Sequence, residues 1–252
     1  MPRAERDERS GPVKARYDTI YRDMLDSIED GSYPYQSLLP SESALTQAFG
    51  CSHNTIRRAI ALLKERGYVQ PIHGKGVRVI WRPRERATFE VGGIESFRET
   101  VERNHLEAKT KVTDLAGIVA DEALSELTGH PLGARLVTVE RVRVLNGRAL
   151  ILDRSYFLAD AVPGLTAEVA ERSIYDYLEG ELGTVIETSK RTITVERATA
   201  HDAELLDIEG VDYLAVMRSQ TFDSQGTMFE YTESRHRPDT FCFHDTATRS
   251  RL

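Results

Sequence analysis

Apolar positions recur at helical spacing through the first third of the chain and at alternate positions through much of the remainder. Val13, Tyr17, Ile20, Tyr21, Met24, Leu25 and Ile28 form one helical stripe, which Gly31 ends. After Leu38-Leu39-Pro40, Ser41 is placed to cap a second helix, and Glu42 complements the dipole at its N-terminus. Ala44, Leu45, Ala48 and Phe49 face inward along that helix, and Gly50 stops it. Only Gly50 and Cys51 separate it from a further cap, Ser52. That cap opens a third helix with Ile56, Ala59, Ile60 and Leu63 on its inner face. Two short helices across so tight a turn predict a helix-turn-helix. Residues 68–72 and 77–80 read as strands around the glycine-rich tip His73-Gly74-Lys75-Gly76. Three helices and then a β-hairpin predict a winged helix-turn-helix over residues 13–80.

Beyond it the pattern changes. Residues 81–88, basic and broken by Pro83, read as a linker. From there to about residue 245 the chain mixes extended and helical patterns. Extended segments fall at 109–119, 135–145, 149–158, 184–197, 212–223 and 227–237, and helical ones at 94–103, 121–128, 173–182 and 201–207. With turn signals at Asn146-Gly147 and Ser224-Gln225-Gly226, this order predicts an α+β domain, an antiparallel sheet flanked by helices, over residues 89–245. Residues 1–12 are expected to be a disordered tail, and 246–252 a C-terminal tail.

Charge sharpens this division. The 252 residues carry a net charge of -7, but residues 1–86 hold fifteen Lys and Arg against eleven Asp and Glu, and all the excess acid lies beyond them. A basic front on an acidic body permits a polyanion such as DNA to bind at the front without demonstrating it. No apolar stretch approaches the ~20 residues of a membrane span. The charged N-terminus does not resemble a signal peptide, so a cytoplasmic protein without membrane partners is expected. Cys51 and Cys242 lack metal-ligand neighbours and read as two thiols; no metal or cofactor is expected.

The third helix exposes His53, Asn54, Arg57 and Arg58, with Thr55 in its first turn. These groups suit base edges and phosphates near a helix N-terminus; the same face also fits a solvated surface. Gly74-Lys75-Gly76 neither follows a buried strand in register nor opens a helix, so it is not a nucleotide-binding glycine motif.

Four features of the second domain suit an anion-and-hydroxyl pocket. Arg141 and Arg143 share a strand face with Val137 and Val139, and two guanidinium groups match phosphate oxygens. Ser96-Phe97 opens a helix whose N–H groups could meet a phosphate. Ser173 and Tyr175 open another, and Glu230, Thr232, Ser234 and His236 share a face of one strand. Each has a plainer reading as well: solvated arginines, ordinary helix caps, a packed tyrosine, an edge strand facing water.

Leu39-Pro-Ser-Glu-Ser43, Cys51-Ser-His-Asn-Thr-Ile-Arg-Arg-Ala59, Leu62-Leu63, Gly67-Tyr68 and His73-Gly-Lys-Gly76 resemble the DNA-binding domain of GntR-type transcription regulators. The resemblance implies DNA contacts at Ser52, His53, Asn54, Thr55, Arg57, His73, Gly74 and Lys75. Ser43 and His53 stand where members usually carry Arg. Residues 89–245 are similar to the effector-binding UTRA domain of the HutC branch, which has a chorismate-lyase-like fold. That similarity implies an effector site of Ser96, Phe97, Arg141, Arg143, Asp153, Ser173, Tyr175, Glu230 and His236. Asp153 replaces the more usual glutamate, and His236 stands where some relatives have tyrosine. Phe89-Glu-Val-Gly-Gly-Ile-Glu-Ser-Phe97 and Glu230-Tyr-Thr-Glu-Ser-Arg-His-Arg-Pro-Asp239 resemble one subgroup, the repressors of trehalose-utilisation operons. This implies trehalose 6-phosphate as effector.

The expected protein is a repressor that binds palindromic double-stranded operator DNA as a homodimer, because two-fold operator symmetry requires two reading helices. A regulator responding to another sugar phosphate, an activator, or a lyase-like enzyme given the fold resemblance, are the alternatives. Against an enzyme, the sequence offers no Ser/His/Asp or Cys/His set and no metal-spaced ligands. The effector assignment also sets a condition on register. A plain two-residue turn at Asn146-Gly147 pairs 143 with 150 and turns Asp153 away from the arginines. A three-residue loop pairing 143 with 149, or an equivalent bulge, restores a common face.

Overall fold

A computed structural model describes residues 16–82, 89–90, 94–103 and 106–244. The expected tails, and residues 83–88 of the expected linker, lie outside the described residues. The chain divides into two compact units that part between residues 85 and 86.

In the first unit, helix α1 (Arg16–Glu29) is followed by α2 (Glu42–Phe49) and α3 (His53–Glu65). The caps act as the residue types predict. Ser41 Oγ accepts from the Ala44 N–H, and Ser52 Oγ accepts from the Thr55 N–H. Gly50 closes α2 in the left-handed conformation at φ 56°. Met24, Ile56, Ala59 and Leu63 are completely buried where the three helices meet; each large side chain so buried contributes about 1.5–3 kcal/mol. Strands β1 (Val69–Ile72) and β2 (Gly76–Val79) form an antiparallel hairpin, and Val69 and Val79 plug its base into the same core.

The second unit is built on a six-stranded antiparallel sheet of order β4-β5-β6-β9-β8-β7. Its strands are β4 (Ala108–Val119), β5 (Arg135–Leu145), β6 (Arg148–Leu158), β7 (Ile186–Arg197), β8 (Tyr213–Asp223) and β9 (Met228–His236). A two-residue parallel pair, β3 (Phe89–Glu90) with β10 (Phe243–His244), lies outside it. Helices α4 (Phe97–Arg103), α6 (Ala167–Arg172) and the short turn α7 (Ile174–Asp176) cover one face, packing on Val139, Phe157, Leu150 and Ile151. Leu205 and Leu206, at the end of α8 (Ala200–Leu205), join Ile208 to cover Val142, Leu152, Leu214 and Val216 on the other. The remaining helix, α5 (Glu122–Thr128), is capped by Asp121 and Gly129.

Two helical features depart from expectation. The segment expected to be one helix over 173–182 makes only the turn α7 and then widens into a π turn at Tyr177–Glu181; Gly180 within it and Gly183 beyond it are weak helix formers. Helix α6, capped by Thr166, was not anticipated, since six residues give too little periodicity to read.

The β5–β6 connection decides which residues share a face. Asn146 and Gly147 form a two-residue turn, both left-handed at φ 49° and 78°, so the three-residue loop is not used. Leu145 pairs with Arg148 and Val144 with Ala149, but Arg143 then pairs with Ile151 and Arg141 with Asp153. Leu150 is the extra residue of a bulge, and it performs the equivalent correction. Asp153 therefore lies directly across from Arg141, on the face that also carries Arg143.

Because Gly147 needs a positive φ, Gly147→Ala is expected to destabilise the second unit by roughly 1–2 kcal/mol. Gly117 lies exposed in β4 with ordinary φ and open space at its Cβ, and Gly117→Ala there should be neutral or stabilise by about 0.4–1 kcal/mol. Urea unfolding of both variants measures this; shifts of the same sign and size would contradict the turn assignment.

Candidate DNA-reading surface and effector cavity

The eight expected DNA contacts fall at two places in the first unit. Ser52, His53, Asn54 and Arg57 are exposed on the first turns of α3, with Thr55 half-buried among them, and His73, Gly74 and Lys75 are exposed at the hairpin tip. Ser52 and Thr55 are tied to each other, their hydroxyls 2.8 Å apart. Gly74 and Gly76 hold positive φ angles of 69° and 107° with open space around them, which leaves the tip without bulk between its backbone and an approaching phosphate. Of the two adjacent arginines on α3, Arg58 stacks over the Tyr17 ring at 4.0 Å. Arg57 instead donates from Nε to Glu42 Oε2 at 2.9 Å, with His53 Nδ1 3.7 Å from the same oxygen.

All nine residues expected at the effector site line one cavity in the second unit, of about 140 Å³. Arg141 and Arg143 are both almost fully buried. Arg143 donates from Nε to Asp153 Oδ2 at 2.8 Å and from Nη1 to Thr110 Oγ1 at 2.7 Å, and stacks over the Phe97 ring at 4.6 Å. Arg141 reaches Ser155 Oγ at 3.1 Å, while its Nε is buried without an acceptor. Burial, and then the neighbouring Arg143, pull its pKa down from the ordinary guanidinium value to about 10. A guanidinium remains charged at that value, so Arg141 is a buried cation held short of acceptors.

The carboxylates are fixed as firmly. Asp153 accepts from Arg143 and, at 2.6 Å, from Ser234 Oγ. Burial raises its pKa, yet the two arginines and these hydrogen bonds bring the net shift below the usual value. Glu230 accepts from Tyr175 Oη at 2.7 Å and from Thr232 Oγ1 at 2.8 Å. Tyr175 is thus a hydrogen-bonding wall rather than packing alone, and burial followed by the Glu230 charge raises its pKa well above 10. β9 lies between β6 and β8, so its polar face is the cavity floor and not an edge. His236, at the end of that floor, is buried beside Phe241, ring centres 4.8 Å apart.

At the opening of α4 the Ser96 N–H donates to Glu99 Oε2 at 2.7 Å, while the Glu99 N–H donates to Ser96 Oγ. This reciprocal cap takes up two of the N–H groups expected to meet a phosphate. Ser173 Oγ likewise caps Asp176 N–H. Each hydroxyl still carries its own proton, so both serines can offer O–H donors.

The structure adds Arg191, Ser189 and Ser219 to the cavity wall. Arg191 lies on β7, and burial pulls its pKa down while Tyr175, Glu95 and Glu230 raise it. Ser189 and Arg191, two apart, gave a signal no different from a solvated strand face. Arg98 and Arg172 also contribute to the lining, but both are exposed and Arg98 is paired with Glu102 and Asp176.

A basic-fronted helix-turn-helix unit and a unit with a polar cavity define a ligand-responsive DNA-binding protein. Family models match both parts: residues 16–79 the bacterial regulatory proteins of the gntR family, and residues 103–242 the UTRA domain. The chain is 39% identical to the HTH-type transcriptional regulator TreR of Bacillus subtilis (strain 168), covering 94% of this chain and 98% of that one. It is 28% identical to the mannosyl-D-glycerate transport/metabolism system repressor MngR of Escherichia coli (strain K12), over 91% and 96%. Among solved structures, the effector-binding domain of the B. subtilis trehalose repressor matches at 40% identity and TM-score 0.52, covering 57% of this chain and 99% of that domain. YydK of B. subtilis shares the fold at TM-score 0.79 and 23% identity, over 93% of this chain and 100% of that one. The chain belongs to the GntR family, in its UTRA-containing form, and is a transcription regulator of that type. Among the described residues no helix is long and apolar enough to cross a membrane, and no cluster of ligating side chains is placed to hold a metal. Cys51 and Cys242 are thiols.

The cavity carries a pH dependence of defined sign. Burial lowers the His236 pKa from 6.5 to about 4, against a raising effect of Asp153. Between these values the unfolded chain binds the proton and the folded chain does not, so stability is lost as pH falls from about 6.5 toward 4, on the order of 3 kcal/mol. Melting midpoints across that range should fall less steeply for His236→Phe than for the unaltered protein. Parallel slopes would contradict a buried neutral imidazole.

Proposed function

We propose that the protein represses a trehalose-utilisation operon and leaves its operator when trehalose 6-phosphate fills the cavity. The observation that carries this reading is the buried, acceptor-poor Arg141 beside Arg143 in the cavity wall. A phosphate monoester, of charge about −1.5 to −2 near neutral pH, would supply the acceptors that Arg141 lacks. Arg141, Arg143, Ser96 and Ser173 supply donors for its oxygens. Asp153, Glu230 and His236 then face sugar hydroxyls. Similarity to a relative named as the trehalose repressor points to trehalose as the sugar.

Residues 13–80 are the reading head, 81–88 the linker and 89–245 the sensor. A cytoplasmic homodimer places two α3 helices on the two halves of a palindromic site, with Ser52, His53, Asn54, Thr55, Arg57, His73, Gly74 and Lys75 on the DNA. Effector binding favours a dimer whose heads no longer match the half-sites, a coupling of about 1–3 kcal/mol.

Anisotropy of labelled DNA, enriched on the protein from a random pool, tests this with trehalose 6-phosphate, trehalose and glucose 6-phosphate as competitors. Trehalose 6-phosphate should release the DNA, and Arg141→Ala should bind DNA normally while needing about tenfold to hundredfold more effector, as for lost charge-assisted hydrogen bonds. Release by unphosphorylated trehalose at equal concentration, or no release by any of the three, would overturn the effector assignment.

A further inference from the structure

The contact between Glu42 and Arg57 has no evident structural purpose. It joins the first residue of α2 to the second turn of α3, yet Arg57 is 64% and Glu42 38% exposed. An ion pair so wet contributes little to stability, and the helices are already held by Leu45, Ile56, Ala59 and Ile60 in their common core. What the contact does control is direction. A guanidinium offers five N–H donors in a rigid planar fork. With Nε committed to Glu42 Oε2 at 2.9 Å, the plane of the group is set and its terminal N–H edge is left to donate. That edge is the one that pairs in bidentate fashion with guanine O6 and N7. Neighbouring Arg58, stacked on Tyr17, is turned to another task.

We infer that Glu42 is a positioning residue for base reading, orienting Arg57 on the recognition helix and thereby setting sequence preference at one base pair of each half-site. The inference rests on the reading of this unit as the DNA-binding head and goes beyond it by naming a residue that acts through another. Its signature is a pair of opposed effects. A carboxylate near the DNA backbone repels it, so losing the charge strengthens binding to any sequence. Losing the orientation weakens discrimination. A merely structural residue would do neither: its removal would lower affinity for all sequences together, along with the melting temperature.

The experiment compares the full-length protein with Glu42→Gln, Arg57→Ala and the double variant. Each is tested on a DNA site selected by the unaltered protein, on all its single-base substitutions, and on random-sequence DNA. Arg57→Ala should abolish preference at one symmetric base pair, a loss of about tenfold or more. Glu42→Gln should reduce preference at that same base pair about fivefold or more, with the others unchanged. Its binding to random DNA should tighten about twofold or more. In the double variant, Glu42→Gln should remove no further preference beyond that of Arg57→Ala. Unchanged preference in Glu42→Gln would overturn the inference, as would a uniform loss of affinity in either single variant. An unaltered protein without any sequence preference would instead bring down the DNA-reading assignment itself.

Discussion

Two guanidinium groups on one strand face, both removed from water, dominate the energetics of the second unit. Charges taken from water carry a penalty of several kcal/mol each unless they find partners. For Arg143 the partner is Asp153, directly bonded, with Thr110 and the Phe97 ring completing its surroundings. For Arg141 the compensation is incomplete, which the lowered pKa and the unpaired Nε both express. The fold reaches this arrangement only because one residue, Leu150, is left out of the β5–β6 ladder. Without that bulge Asp153 would point to the other side of the sheet, and both arginines would be buried without their nearest counter-charge.

The rest of the cavity follows from the same need. Glu230 lies four residues from Ser234 on β9, and Tyr175 and Thr232 fix its two oxygens. A field of fixed dipoles and charges is thus set before any ligand arrives. Such preorganisation lowers the ordering cost of binding an anion that fits. The reading head uses a related device at the opposite extreme of exposure. There a guanidinium is aimed by a carboxylate in water, where the gain is direction and not stability.

Much of this was legible in the chain. Caps at Ser41 and Ser52, the stop at Gly50 and the inward spacing of Ile56, Ala59, Ile60 and Leu63 define the first unit, because local chemistry alone sets helix ends. The strands of the second unit lie close to where alternation put them, and Arg141, Arg143, Ser96, Phe97, Asp153, Ser173, Tyr175, Glu230 and His236 meet around one cavity. What was not legible depends on contacts distant in sequence. The bulge at Leu150 serves packing of Leu150 and Ile151 against α4, which no turn rule encodes. Arg191 looks like any solvated strand residue until β7 is placed beside β8. Ser96 carried a correct cap signal, but that its N–H goes to Glu99 three residues on depends on the side-chain conformation of Glu99. Glu42 was read for its helix dipole, and its partner is fifteen residues away.

The measurement that bears most directly on the proposal that the cavity takes a dianion is calorimetric titration of the purified protein with trehalose 6-phosphate and with trehalose, repeated from pH 5 to pH 7. A phosphate monoester gains its second charge near pH 6, so an incompletely compensated guanidinium pair predicts binding of the phosphorylated sugar that strengthens across that range, with trehalose at least about a hundredfold weaker. Equal affinity for the two sugars, or affinity for trehalose 6-phosphate that is indifferent to the second ionisation, would contradict it.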